Sequence, residues 1–142
     1  MPSIAVDAGP LVALFSRRDR HHAAALEFFR LTQGNFVTNI AVLTETAHLL
    51  SFSAEATRDA LGWVAAAFDI DPHTASDLPR IVEIMAKYDD LPADFADASM
   101  VAMCERLGIK AIATLDNDFE VYRLANGDKL RNVFEEPGSP TP

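Results

Sequence analysis

Short apolar runs alternate along the chain with longer segments whose apolar residues recur at helical spacing. Residues 3–6 form an apolar run with β-branched residues that stops at Asp7, which predicts a buried strand. Pro10 suits the first turn of a helix, so a helix is predicted from there to about Ser16. A second amphipathic helix is predicted to end near Gly34. The chain is therefore expected to begin with one strand and two helices.

The alternation continues and predicts an α/β fold. The further predicted strands are residues 35–38, 68–70, 110–114 and 133–134. The further predicted helices are residues 40–51, 54–67 and 73–88, a helix with two acids at its start that ends at Leu107, and a short helix that follows Asp116. Asn39 and either Ser51 or Ser53 are candidate N-caps, and Gly108 is a candidate C-cap. Because strands alternate with helices, we expect one central, mostly parallel sheet.

Length and composition indicate a single domain. The chain has 142 residues, of which 49% are hydrophobic, enough for one core. We expect residues 1–135 to form that domain and residues 136–142, which contain three prolines, to form a flexible tail. The single cysteine, Cys104, cannot form an internal disulfide, and neither a signal peptide nor a bilayer-length apolar run is present. A soluble cytoplasmic protein without membrane contact is the expectation.

The charge is strongly acidic. With 12 Lys and Arg against 21 Asp and Glu, the formal net charge is −9. Nucleic-acid binding proteins usually carry a basic surface, so charge alone argues against a polyanion binder. It favours an acidic enzyme or a protein covered by a basic partner.

Several of the acids occupy positions where chemistry is common. Asp7 and Asp116 each directly follow an apolar strand, and ligands of parallel α/β sheets bind at the carboxyl ends of strands. Glu45 and Asp97 lie in helices that the connections would bring to the same edge. Converging carboxylates repel one another unless a cation neutralises them, and a set of oxygen ligands suits Mg²⁺ or Mn²⁺. Asp118 is a weaker candidate of the same kind.

Asp94 and Asp97 are three residues apart at the head of a helix that is otherwise almost wholly apolar, which predicts a buried helix. Each candidate also has a purely structural interpretation. Asp94 could cap the helix, and Asp97 could be a first-turn acid favoured by the helix dipole. Asp7 could be a turn acid, Glu45 could extend to solvent, and Asp116 could cap the short helix that follows it.

Other motifs are absent or have ordinary explanations. The chain has no Cys/His spacing for zinc, no glycine-rich phosphate loop and no Gly-x-Ser-x-Gly motif. The basic stretch 17–22 could contact RNA phosphate, but a solvated joint between helices is the favoured interpretation. His48 lies one turn from Glu45 and could hydrogen-bond near the site, although a core histidine is the favoured expectation. Trp63 and the pair at 28–29 are expected to be core or dimer contacts.

Four segments in this order resemble the PIN domain, and in particular its VapC-type toxin ribonucleases. They are Ile4-Ala5-Val6-Asp7, Thr44-Glu45, Asp94-Phe95-Ala96-Asp97-Ala98-Ser99 and Thr114-Leu115-Asp116-Asn117-Asp118-Phe119. The resemblance spans residues 4 to 119. No single segment is specific, but the four together in this order are more so.

The resemblance implies a PIN-like α/β/α sandwich and a Mg²⁺- or Mn²⁺-dependent ribonuclease. The positions that match the family's acidic quartet, and so the implied catalytic residues and metal ligands, are Asp7, Glu45, Asp97 and Asp116. Asp118 and Thr114 match supporting positions, with Asp118 a further implied ligand, and Asp94 matches a position that is acidic in only some members. The implied partners are an RNA substrate, a second copy of the chain in a homodimer, and a small antitoxin that reaches into the acidic site.

Two other functions remain open at this point. The chain could be a catalytically inactive PIN-fold binding module, or a housekeeping RNA-processing nuclease without an antitoxin. A phosphatase on the same sheet edge is disfavoured, because Asp7-Ala8-Gly9 lacks a second acid after the first strand.

Overall fold

Five short strands form the central sheet of the protein, for which the computed structural model describes residues 1–91 and 93–134. The strands are β1 (Ser3–Val6), β2 (Asn35–Asn39), β3 (Asp69–Asp71), β4 (Ala111–Ala113) and β5 (Arg131–Asn132). Their order across the sheet is β3-β2-β1-β4-β5, and each of the four neighbouring pairs is parallel. The predicted mostly parallel sheet is therefore confirmed.

In the described part of the chain, six α-helices connect these strands. They are α1 (Ala8–Phe15), α2 (His22–Leu31), α3 (Ile40–Leu49), α4 (Ala54–Ala67), α5 (Leu78–Lys87) and α6 (Phe95–Leu107), and a short 3-10 helix spans Asn117–Glu120. Helix α1 packs against α2, α3 and α4, whereas α5 packs against α6. Because parallel crossovers are right-handed, the two groups of helices cover opposite faces of the sheet. The α/β/α sandwich is the fold that the sequence predicts.

The order of the strands creates a switch point between β1 and β4. From β1 the chain moves outward through β2 to β3, and then returns across the sheet to β4 on the other side of β1. In register, Val6 pairs with Ala113, so these two strands end together. Ligands of open parallel sheets bind in the crevice at such a point, beyond the carboxyl ends of the strands.

Helix α6 is the most deeply buried helix. Every residue from 96 to 104 is buried, including Asp97 at one end and Cys104 at the other. Its first turn is capped by Asp94, whose side chain accepts a hydrogen bond from the backbone N–H of Asp97, and it ends at Gly108 in the left-handed conformation. Helix α6 contacts α3 as well as α5. It thereby brings the acids of two helices to the switch point.

Aromatic side chains fill the face covered by α2 and α4. Phe28 and Phe29 pack edge to face with ring centroids 5.0 Å apart, and Phe29 packs against Trp63 at 5.2 Å. Phe36 and Phe68 extend the same cluster. Phe28 is buried, and Phe29 and Trp63 are half-buried against the core, which fits the predicted core or dimer contacts.

Helix α5 begins later than the predicted residues 73–88, because the chain before it forms hydrogen-bonded turns. The backbone N–H of Asp77 contacts the carbonyl oxygens of His73 and Thr74, at 3.2 and 3.0 Å. The carboxylate of Asp77 is bound by Arg106, so it does not cap the helix, which starts at Leu78 with Pro79 in its first turn. The prediction of helix from residue 73 was wrong.

The last strand, predicted near residues 133–134, lies two residues earlier, because β5 is Arg131–Asn132. The side-chain amide of Asn132 explains the early end. Its Oδ1 accepts from the N–H of Thr114 at 3.2 Å and its Nδ2 donates to the carbonyl of Thr114 at 3.1 Å. These are the backbone groups that a longer strand would need. Helix α2 ends at Leu31, three residues before its predicted end near Gly34, and the remaining predicted boundaries differ by at most two residues.

The predicted tail, residues 136–142, lies outside the described residues. Among the helices of the described part, none has the length and apolar character needed to cross a bilayer.

Candidate metal centre

Asp7 directly follows β1 and is almost completely buried. Its backbone N–H donates to the carbonyl of Ala113 at 3.0 Å, which extends the pairing of β1 with β4 by one residue. The side chain does not cap α1, although Asp7 stands at the N-cap position. Instead the carboxylate accepts a 2.8 Å hydrogen bond from the hydroxyl of Thr114, and the same hydroxyl oxygen accepts from the N–H of Asp116 at 3.0 Å. Thr114 thus links the acids that follow β1 and β4.

Asp116 and Asp118 lie in the loop that follows β4. Asp116 caps the 3-10 helix, because its Oδ1 accepts from the N–H of Asp118 at 2.9 Å. This turn directs both side chains toward the head of α6. One carboxylate oxygen each of Asp97, Asp116 and Asp118 lies within 4.8 Å of the others. Three oxygens at that separation can ligate one cation.

Asp94 and Asp97 have different environments at the head of α6. Asp94 is exposed, and its Oδ1 accepts from the N–H of Asp97 at 2.8 Å. Asp97 is 5% exposed, and its Oδ2 accepts from the hydroxyl of Tyr122 at 3.1 Å. The cap predicted for Asp94 is confirmed, and the carboxylate of Asp97 is the one that joins the three-acid group.

Glu45 reaches the site from the middle of α3. The helix starts at Asn39, whose Oδ1 accepts from the N–H of Val42 at 3.0 Å, as predicted for an N-cap. The amide nitrogen of Asn39 also donates to the hydroxyl of Ser99 at 3.1 Å, which fixes the start of α3 against α6. Glu45 is half-buried, and no described residue donates a hydrogen bond to its carboxylate.

Three acids of the quartet have raised pKa values. Burial, and then the charges of Asp116 and Asp94, raise the pKa of Asp7 to about 6. Burial and then the charge of Asp7 raise the pKa of Glu45 to about 7, and the same two causes raise that of Asp97 to about 8. These mutual charge effects agree with the contacts of Thr114, which join Asp7 to Asp116, and with the carboxylate group of Asp97, Asp116 and Asp118. Burial of these carboxylates and their mutual repulsion are unfavourable for the folded state. A bound divalent cation would relieve both.

The donor set fits a hard divalent cation. The candidate ligand group found among the described residues consists of aspartate carboxylates without histidine or cysteine, which is the ligand chemistry of Mg²⁺ or Mn²⁺ and not of zinc. Among the described residues, the tightest carboxylate group is formed by Asp97, Asp116 and Asp118. Asp118, the weaker candidate from the sequence, is therefore one of its three members. Asp7 and Glu45 lie outside that group and are coupled to it through charge.

For residues outside the quartet, some predictions agree with the structure and others do not. His48 is exposed, so the expected core histidine was wrong. In the basic stretch, Arg17 and Arg18 are exposed and the Nδ1 of His22 contacts the carbonyl of Ala13 at 2.7 Å, as expected for a joint between helices. Tyr122 was not predicted, because a single tyrosine after a short turn carries no pattern that points to α6.

A family model described as the PIN domain matches residues 4–124, which is most of the chain. The chain belongs to the PIN domain family. The family predicted from the four acidic segments is therefore confirmed. A search of curated proteins gave no significant match.

Two solved structures share this PIN fold. The first is VapC20 of Mycobacterium tuberculosis, described as a toxin that cleaves the sarcin-ricin loop. It is 25% identical with a TM-score of 0.77, and the match covers 83% of this chain and 93% of that chain. The second is FitAcB of Neisseria gonorrhoeae, 11% identical with a TM-score of 0.54, covering 80% of this chain and 87% of that chain. The second likeness shows the fold alone, whereas the first supports the VapC-type subgroup.

The raised pKa values predict that the metal-free PIN domain loses stability as the pH rises. Between about pH 4 and pH 8 the folded protein binds more protons at Asp7, Glu45 and Asp97 than the unfolded chain does, so the free energy of unfolding falls with pH. The melting temperature in EDTA is therefore expected to decrease from about pH 5 to about pH 8. Mn²⁺ should restore most of the loss at the upper end. A melting temperature in EDTA that rises over this interval would contradict the convergence of the acids.

Proposed function

We propose that this PIN-domain protein is a Mg²⁺- or Mn²⁺-dependent endoribonuclease that hydrolyses RNA phosphodiesters. The observation that carries the proposal is the carboxylate group of Asp97, Asp116 and Asp118 at the switch point, which Thr114 links to Asp7 by hydrogen bonds. Glu45 is coupled to these acids through charge. Buried acids that repel one another are an unfavourable arrangement for a structural role alone. They are a suitable arrangement for holding a cation against a phosphate.

Each acid has a distinct task in this proposal. Asp97, Asp116 and Asp118 supply the oxygens of the tight group, and Asp7 and Glu45 close it from β1 and α3. A bound divalent cation supplies an acidified water and neutralises charge on the scissile phosphate. Thr114 holds Asp7 and the backbone of Asp116 in fixed positions, so the oxygens are oriented before substrate arrives.

The cation also explains how an acidic protein could accept RNA. With a net charge of −9, the surface as a whole repels a polyanion. A divalent cation in the carboxylate group reverses the local field at the one place where phosphate must approach. Arg17, Arg18 and Arg20 are exposed and follow α1 along the chain. We assign them a secondary role, which is contact with the phosphates of the RNA.

The proposed biological role is that of the toxin in a toxin-antitoxin pair. VapC20, which is similar over most of both chains, is described as a toxin that cleaves the sarcin-ricin loop. The proposal includes a homodimer in the cytoplasm and a small antitoxin as partner. A neighbouring short reading frame for a DNA-binding protein would distinguish the toxin from a housekeeping RNA-processing nuclease.

Cleavage and metal binding can be tested on the same purified protein. We expect Mn²⁺ to permit cleavage of at least one structured RNA in a panel that includes a sarcin-ricin stem-loop, and EDTA to stop it. Mn²⁺ at about a hundredfold over its dissociation constant should raise the free energy of unfolding by roughly 2.7 kcal/mol. The matched control is Asp128→Asn, which removes an exposed acid that belongs neither to the quartet nor to the tight carboxylate group and should change neither result. Mn²⁺ binding without cleavage of any RNA would favour the inactive binding module.

A further inference from the structure

Tyr122 contacts the candidate ligand that lies on α6. Its hydroxyl donates to Oδ2 of Asp97 at 3.1 Å, across 25 residues of chain. The tyrosine is 2% exposed, so solvent does not compete for this hydrogen bond. No other described side chain donates a hydrogen bond to the carboxylate of Asp97. The hydroxyl is therefore the contact that determines how this carboxylate is turned.

The ring of Tyr122 is held on two sides. It packs edge to face on Phe119 with centroids 5.1 Å apart, and edge to face on Tyr88 at 5.2 Å. The backbone N–H of Tyr122 donates to the carbonyl of Asp118 at 3.3 Å. The tyrosine is thus fixed to the segment that carries Asp116 and Asp118. A rigid ring gives the hydroxyl little freedom to follow the carboxylate.

We propose that Tyr122 is a positioning residue that orients the carboxylate of Asp97 for the divalent cation and sets its distance from Asp116 and Asp118. The inference rests on the proposed function of the acidic site. Asp97 lies on α6 and the other two acids lie after β4, so the tight group is built from two separate elements. The hydroxyl of Tyr122 is a side-chain bridge between those elements at the site itself.

The physical reason is pre-organisation. A carboxylate on the first turn of a helix can rotate about its terminal torsion, and each orientation presents different lone pairs to a cation. A hydrogen bond to one oxygen restricts that rotation and leaves lone pairs of both oxygens for ligation. Partners of this kind behind metal ligands usually contribute a factor of about 10 to 100 in metal affinity.

Tyr88 offers a matched control in the same aromatic cluster. Its ring packs against Tyr122, but its hydroxyl accepts from the backbone N–H of Arg123 at 2.9 Å and does not contact Asp97. Tyr88→Phe and Tyr122→Phe therefore remove the same atom from neighbouring rings. Only Tyr122→Phe removes a contact to a candidate ligand.

The experiment is a titration of each full-length protein with Mn²⁺ alone, followed by electron paramagnetic resonance of the free ion. Tyr122→Phe is expected to raise the dissociation constant for Mn²⁺ by about 10- to 100-fold, and Tyr88→Phe by no more than about twofold. Circular dichroism in EDTA should show that both variants fold. RNA cleavage by Tyr122→Phe should need correspondingly more Mn²⁺ and should recover at saturation.

The outcomes separate this inference from the proposed function. If the wild type binds Mn²⁺ and cleaves RNA while Tyr122→Phe binds Mn²⁺ equally well or more tightly, the positioning role is overturned and the ribonuclease stands. The same holds if Tyr88→Phe weakens binding as much as Tyr122→Phe, because the effect would then come from packing. A wild type that binds no Mn²⁺ overturns both the metal site and the role of Tyr122.

Discussion

Asp97→Asn is expected to abolish Mn²⁺-dependent RNA cleavage, with a loss of roughly 10³-fold or more in rate, which corresponds to about 4 kcal/mol. Asp97 joins Asp116 and Asp118 in the tight oxygen group, and an amide has no negative charge for a cation. The change in size is minimal, and the amide oxygen of asparagine can still accept the hydrogen bond from Tyr122. The fold should therefore survive.

The same substitution is expected to stabilise the metal-free protein. Burial and neighbouring charges raise the pKa of Asp97 to about 8, so ionising it in the folded state is unfavourable. Removing that ionisation should raise the melting temperature in EDTA at about pH 8 and flatten its decline with pH. Single-turnover cleavage and thermal unfolding of one preparation would measure both effects. A loss of activity together with a loss of stability would point to a structural role for Asp97.

Asp94→Asn is the control, because Asp94 caps α6 whereas Asp97, three residues later, is a candidate ligand. Asparagine caps a helix about as well as aspartate, so the hydrogen bond to the N–H of Asp97 should persist. We expect Asp94→Asn to retain most of the activity. Equal losses in the two variants would contradict the separation between a cap and a ligand. Asp7→Asn should behave like Asp97→Asn, since Asp7 is buried and hydrogen-bonded to Thr114 within the same site.

The acids could be predicted from sequence because each stands beside a local signal. Asp7 and Asp116 follow apolar strands, and the parallel sheet brings the ends of such strands to one edge. Asp94 precedes an apolar helix by one residue, which is the position of a cap. In each case the information lies within a few residues of the side chain. Glu45 was predicted to reach the same edge because the connections between strands would bring its helix there, and the structure adds the contact of α3 with α6.

The interactions that sequence missed connect residues far apart in the chain. Tyr122 contacts Asp97 across 25 residues, and Asn132 pairs with the backbone of Thr114 across 18. Asn132 ends β5 just before Val133 and Phe134, the apolar pair near which the sequence predicted the strand. Asp77 looked like a residue inside a helix, but its carboxylate is bound by Arg106, 29 residues away. A single polar side chain shows no periodicity, so its distant partner cannot be read from spacing.

The ion pairs of Arg106 with Asp71 and Asp77 are the basis of the largest stability effect that we expect. The guanidinium of Arg106 donates to both oxygens of Asp77 at 2.9 Å and to both oxygens of Asp71 at 3.2 and 2.5 Å. The side chains of Asp71 and Asp77 are only 4% and 9% exposed. One arginine at the end of α6 thus neutralises two buried carboxylates, one at the end of β3 and one before α5.

Arg106→Leu is expected to lower the free energy of unfolding by about 3 kcal/mol, because it leaves Asp71 and Asp77 buried without a counter-charge. We place the effect at the lower end for such pairs, since the arginine is 30% exposed and solvent screens part of its charge. Lys129→Ala is the control. It breaks an ion pair with Glu120 in which both side chains are more than half exposed, and it should cost less than about 1 kcal/mol.

Urea unfolding of both variants would measure the difference, and a triple variant would identify its cause. Asp71→Asn and Asp77→Asn, added to Arg106→Leu, remove the two uncompensated charges and should recover part of the lost stability. If the triple variant is no more stable than Arg106→Leu, packing of the arginine stem and not charge burial would be responsible. Arg106 lies at the opposite end of α6 from Asp97, so folded Arg106→Leu should still cleave RNA in Mn²⁺. Loss of cleavage in a variant that remains folded would show that α6 must be held at both ends for the acids to meet.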